Sequence, residues 1–97
     1  MPTHDELPQF IREYLKLTED GQDRFLKAMK HLVQDLRSGS VFHPGLRVKG
    51  VQGHMGVFEM TWAPDGRTTF QYGPEQILGE KHIIWRRSGG DEILQNP

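Results

Sequence analysis

None of the 97 residues is a cysteine. Disulfide scaffolds, thiolate metal centres and cysteine nucleophiles are therefore excluded. A cysteine-free chain of this size fits a reducing cytoplasm, which is the expected location. Charge of one sign is also missing. Twelve Lys and Arg stand against thirteen Asp and Glu, a formal net charge of −1. Bulk positive charge cannot be what holds a nucleic acid here, although a local basic patch can. Long apolar runs are absent, so no membrane partner is expected. The opening Met1-Pro2-Thr3-His4-Asp5-Glu6 is polar and acidic, unlike a signal peptide. Length allows one core, expected to span residues 1–97 as a single domain.

Glycine is scarce in one part only. Gly21 is the sole glycine before residue 37, and the other ten follow. Turns must crowd into the second part. Before it, Phe10, Ile11, Tyr14, Leu15 and Leu17 recur at helical spacing. Asp5 is the expected N-cap of this first helix, with Pro8 in the first turn, where its missing N–H costs nothing. Thr18 reads as a second N-cap, followed by Glu19 and Asp20 at the positive end of the helix dipole. Phe25, Met29, Leu32, Val33 and Leu36 carry the stripe onward to a stop at Gly39. The reading is a helical hairpin over residues 5–38.

The period then changes to two. Leu46, Val48 and Val51 suggest a short strand. Val57–Trp62 is a clearer one, with Phe58, Met60 and Trp62 on one face. Ala63-Pro64-Asp65-Gly66 is a turn: Pro presets φ and Gly accepts a left-handed position. Thr68, Phe70 and Tyr72 continue the apolar face on the return strand. His82–Arg86 is the next strand, and Ile93-Leu94 a short last extension. The fold class is α+β: the hairpin packs on one face of a twisted antiparallel sheet of three to four strands within residues 46–94. Proline and charge argue against a strand before the first helix. The opposite sheet face presents Glu59, Thr61, Arg67, Thr69 and Gln71, polar enough to be solvated or a binding surface.

This order of elements, with Leu46-Arg47-Val48-Lys49-Gly50, Gly56-Val57-Phe58-Glu59-Met60, the Asp65-Gly66-Arg67 turn, a strand ending in Tyr72 and His82-Ile83-Ile84-Trp85-Arg86-Arg87, resembles the RelE/ParE-like toxins of toxin–antitoxin pairs. The resemblance covers roughly residues 7–95 and rests on pattern and order. It implies a ribosome-dependent mRNA endonuclease that needs no metal or other cofactor. In such enzymes the 2′-OH attacks the neighbouring phosphodiester, and basic residues on the concave sheet face stabilise charge and protonate the leaving oxygen. It also implies an antitoxin partner, besides mRNA and the ribosome. The sequence departs from the family where arginines are common: Met60 and Thr61 follow Glu59, Thr69 precedes Phe70, and Ser88–Glu92 is acidic. A non-catalytic binding module and a ParE-like gyrase inhibitor are the alternatives.

Four residues are the catalytic candidates: His82, Arg86, Arg87 and His54. His54 sits in a glycine-flanked loop, and histidine as a residue type can serve as an acid or base near neutral pH. His82 shares a strand face with Ile84 and Arg86. Arg86 and Arg87 are adjacent, so regular alternation sends them to opposite faces. Arg47, Lys49 and Arg67 are the RNA-binding candidates. Glu59 is expected to pair with Arg67 or Arg86 across the sheet. No two histidines have a spacing that presets metal ligands, so no metal site is expected.

Overall fold

The computed structural model describes residues 2–39 and 41–97. Strand β1 (Thr3–Glu6) leads into helices α1 (Pro8–Lys16) and α2 (Glu19–Ser38). Strands β2 (Lys49–Gly50), β3 (Val57–Ala63), β4 (Gly66–Gly73) and β5 (His82–Gly89) follow, and a 3₁₀ turn spans Asp91–Gln95. The sheet order is β1-β5-β4-β3-β2. The fold is thus α+β, with two helices on a five-stranded, mostly antiparallel sheet.

The second helix forms as its caps demand. The Thr18 side chain accepts from the Gly21 N–H at 3.0 Å, and Gly39 ends the helix at φ +70°. Phe25, Ala28 and Leu32 are buried from one face of α2, against Met60, Phe70, Ile83 and Trp85 from the sheet. Phe10 joins them from α1, its ring 6.0 Å from Trp85. Phe58 and Trp62 pack at the margin of this core, on the face that alternation assigns them. The β3–β4 turn is tight against Trp62: a Cβ at Gly66 would lie 2.7 Å from the indole.

Three expectations are corrected. A strand does precede α1, so the sheet has five strands rather than three or four. β1 runs parallel to β5, pairing Thr3 with His82 and Glu6 with Trp85. Its side chains are mostly exposed, so it carries no apolar alternation; main-chain pairing recruits it, together with the Thr3 and Asp5 side chains on His82. Asp5 therefore lies in β1, and Leu7 is the residue before α1, with no side-chain cap. Ile93 and Leu94 form the 3₁₀ turn instead of a strand extension.

The sheet face away from the helices is partly roofed. A Cβ at Gly89, directed to that face, would meet Ile93 at 3.1 Å. Ile93 is buried there, outside the main core. Glu59 and Thr69 on this face are buried as well, so two of the five residues expected on the polar face are not solvent-exposed.

Candidate functional site

The central feature of the site is a β-bulge. Pairing between β4 and β5 jumps from Thr69↔Arg87 to Phe70↔Trp85, leaving Arg86 as the extra residue. A bulge breaks strict alternation and re-aims a side chain. Arg86 and Arg87 therefore do not diverge as regular alternation requires. The Arg86 Nε donates to the Pro97 main-chain oxygen at 3.0 Å, and its Nη1 donates to Gln71 Oε1. The Arg87 Nη1 donates to the neighbouring Asn96 oxygen at 3.1 Å. Both guanidiniums converge on one stretch of backbone.

Arg87 is further held by Glu13 of α1. Its Nη2 donates to Glu13 Oε2 at 2.7 Å, and its Nε to Oε1 at 3.3 Å. The same Oε1 accepts from the Ser88 N–H at 3.2 Å, covering the β5 edge where β1 has ended. This fork is a bidentate, charge-assisted contact, and it raises the Arg87 pKa above its ordinary value. Leu7, Gln9, His54, Arg86, Arg87, Asn96 and Pro97 together line an open pocket of about 340 Å³. His54 reaches it from the glycine-flanked loop between β2 and β3.

The other sequence candidates lie elsewhere. His82 is on the same sheet face but at the far end of β5, roughly 13 Å along the strand from Arg86. It is buried under β1: Nε2 donates to Asp5 Oδ2 at 3.0 Å, and Nδ1 meets Thr3 Oγ1 at 2.7 Å. An ionised carboxylate only accepts, so it is the Nε2–H that donates to Asp5. Lys49 stands in register with Glu59, Glu59 with Thr69, and Thr69 with Arg87, a row across four strands. The Arg67 Nη1 folds over its own turn, donating to the Gly66 oxygen at 3.0 Å and the Ala63 oxygen at 3.2 Å. Its Nε faces Asp91 at 3.4 Å. The expected pairing of Glu59 with Arg67 or Arg86 does not form among the described residues. Arg47 ends a short 3₁₀ turn (Pro44–Leu46) at φ +48° and, with Arg67, lines a second pocket distant from the arginine pair. Sequence reasoning placed Gln71 on the polar face and did not single out Glu13 or the 96–97 backbone, whose contacts with the arginines span long sequence separations or involve main-chain atoms. Among the described residues, no group of three or more His, Asp or Glu side chains could hold a metal ion.

A further titratable contact pins the segment after α2. Asp35 is buried and accepts from the His43 N–H at 2.9 Å and from His43 Nδ1 at 2.6 Å. The His43 side-chain hydrogen bond is the main cause holding the Asp35 pKa below 3.8. A depressed carboxylate contributes stability that is complete above its unfolded value and is lost as pH falls through the folded one. Thermal unfolding of the wild type is accordingly expected to lose midpoint more steeply below about pH 4 than that of Asp35→Asn. Parallel slopes for the two proteins would contradict this assignment.

No family model matches the chain, and no curated protein matches its sequence. Solved structures do match its fold. A copper-bound mutant toxin from Helicobacter pylori superposes with a TM-score of 0.68 at 17% identity, over 95% of this chain and 97% of the other. YafQ from E. coli gives 0.60 at 14% identity, over 97% and 98%. The RelB–RelE antitoxin–toxin complex of Methanococcus jannaschii gives 0.62 at 13%, over 94% of each chain. The chain has the RelE/ParE-like toxin fold.

Proposed function

We propose that this chain is the toxin of a toxin–antitoxin pair and acts as a cytoplasmic, ribosome-dependent mRNA endonuclease. The observation that carries the reading is the convergence of Arg86, Arg87 and His54 on one open pocket. Cleavage by 2′-OH attack builds negative charge on the phosphate oxygens and on the departing 5′ oxygen. Two fixed guanidiniums meet the first requirement, and the His54 imidazole meets the second by donating a proton. Glu13 and Gln71 orient the guanidiniums, so little ordering remains when the phosphate arrives. Lys49 extends positive charge along the same face for the flanking RNA. His82 serves as a positioning residue that locks β1 onto β5. The substrate phosphate replaces the Asn96 and Pro97 oxygens on the arginines. An antitoxin partner is supported by the RelB–RelE complex and by the DinJ–YafQ complex of E. coli, which share the fold.

The test is mRNA cleavage on programmed ribosomes by the purified chain. Cuts confined to the A-site codon are expected. Well-folded protein that leaves the message intact overturns the nuclease reading and favours the non-catalytic binding module.

A further inference from the structure

A second large pocket lies apart from the arginine-pair site. It lies between α2, the segment around residues 43–47 and the β3–β4 turn, with a volume of about 1080 Å³. Arg24, Lys27, His31, His43, Arg47 and Arg67 all line it, and no carboxylate does. Six basic side chains around one opening are conspicuous in a chain of net charge −1. Arg24 pairs with Asp20 at 2.9 Å, but both side chains are more than half exposed, so that pair is weak. Arg67 is engaged by its own turn and by Asp91. Lys27 and Arg47 are exposed and pair with nothing among the described residues. The floor is apolar, formed by Ala28, Leu46 and Trp62.

Two histidines give the pocket its particular chemistry. The rings of His31 and His43 lie 4.6 Å apart. The Nδ1 of His43 lies 2.6 Å from the buried Asp35 carboxylate. The Nδ1 of His31 is buried and has no hydrogen-bond partner among the described residues. Such a group costs free energy until something satisfies it. A second positive charge on this pair is unfavourable beside Arg24, Lys27, Arg47 and Arg67 unless an anion enters the pocket.

We propose that this pocket is a phosphate-binding site for a nucleotide or a nucleic-acid strand, and that His31 and His43 take up protons as it fills. Lys27 and Arg47 supply the unpaired cations. The apolar floor accepts the flat face of a base or sugar, which favours a nucleotide unit over free phosphate. The site is separate from the arginine-pair pocket and stands whether or not the chain cleaves RNA.

The experiment titrates the full chain with three probes: inorganic phosphate, adenosine 5′-monophosphate and a single-stranded DNA dodecamer, which lacks the 2′-OH and is not cut. Binding is read by calorimetry in two buffers of different ionisation heat and by the His31 and His43 ring signals in NMR. The expected result is binding that tightens about tenfold between pH 7.5 and pH 5.5, with net proton uptake. Lys27→Glu and Arg47→Asn, the latter chosen because Asn tolerates positive φ, should each weaken binding about tenfold and lower the salt slope by about one. Arg86→Ala/Arg87→Ala should leave the His31 and His43 ring shifts unchanged. Binding of the monophosphate identifies a free nucleotide as sufficient, and binding of the dodecamer alone identifies a strand. Phosphate probes that bind without moving either ring, or that bind Lys27→Glu and Arg47→Asn as tightly as wild type, overturn the proposal. So does the absence of binding by all three.

Discussion

Replacing Arg86 by alanine is expected to lower mRNA cleavage on programmed ribosomes by about 10²–10³-fold, the usual effect of losing one donor to a developing oxyanion. Its Gln71 and Pro97 contacts are polar and partly solvated, so the fold should tolerate the loss. Arg87→Ala should slow cleavage equally and also cost about 1–3 kcal/mol of stability, because Glu13 loses its counter-charge. Glu13→Gln separates the two effects. It leaves both arginines present but loosens Arg87, so activity should fall less than in Arg87→Ala. Arg87→Lys should not restore the rate, since an ammonium cannot reproduce the fork against Glu13. Quench-flow rates with urea unfolding of each variant would decide the matter. Full cleavage by a folded Arg86→Ala protein would remove the arginine pair from the mechanism.

The second large effect concerns Trp85. It is 2% exposed, and its ring lies 5.4 Å from Phe25, 5.6 Å from Phe70 and 6.0 Å from Phe10. Both helices and the sheet meet on this one side chain. Trp85→Ala should cost about 3–5 kcal/mol through lost burial and the cavity left behind. Small domains have only about 5–15 kcal/mol in total, so a measurable unfolded fraction is expected at 25 °C. Tyr72→Ala is the control. Tyr72 touches Phe58 and Phe70 but is 39% exposed, and should lose far less. Urea midpoints compare the two, and equal losses would contradict the central place given to Trp85.

The helix-facing side of the sheet was legible in the sequence because period-two burial leaves a mark. Phe58, Met60, Trp62 and Phe70 alternate, and all face the helices. Thr18 and Gly39 were legible because their caps require those residue types. β1 was not legible: its pairing is main-chain to main-chain, and exposed side chains carry no pattern. The bulge at Arg86 was also silent, since it needs neither glycine nor proline. It nonetheless changed the candidate site most, turning two diverging arginines into a pair. His82 was a catalytic candidate by its strand position; its burial and its long-range pairing with Thr3 and Asp5 were not legible in the sequence. Arg47 and Lys49, two residues apart in sequence, were separated by the left-handed kink at Arg47.

The joining of β1 to β5 also bears on when the site comes into being. Thr3 meets His82 across 79 positions of sequence, and Glu13 meets Arg87 across 74. Contacts of such separation close late, because chain entropy opposes them until the intervening structure has formed. The helical hairpin and the β3–β4 hairpin can form from local contacts alone. The arginine pair cannot be oriented until residues 82–89 have left the ribosomal tunnel and docked between β1 and β4. A nascent chain therefore lacks a formed cradle while its two local hairpins can already be present. Whatever activity the pocket has begins with the docking of β5.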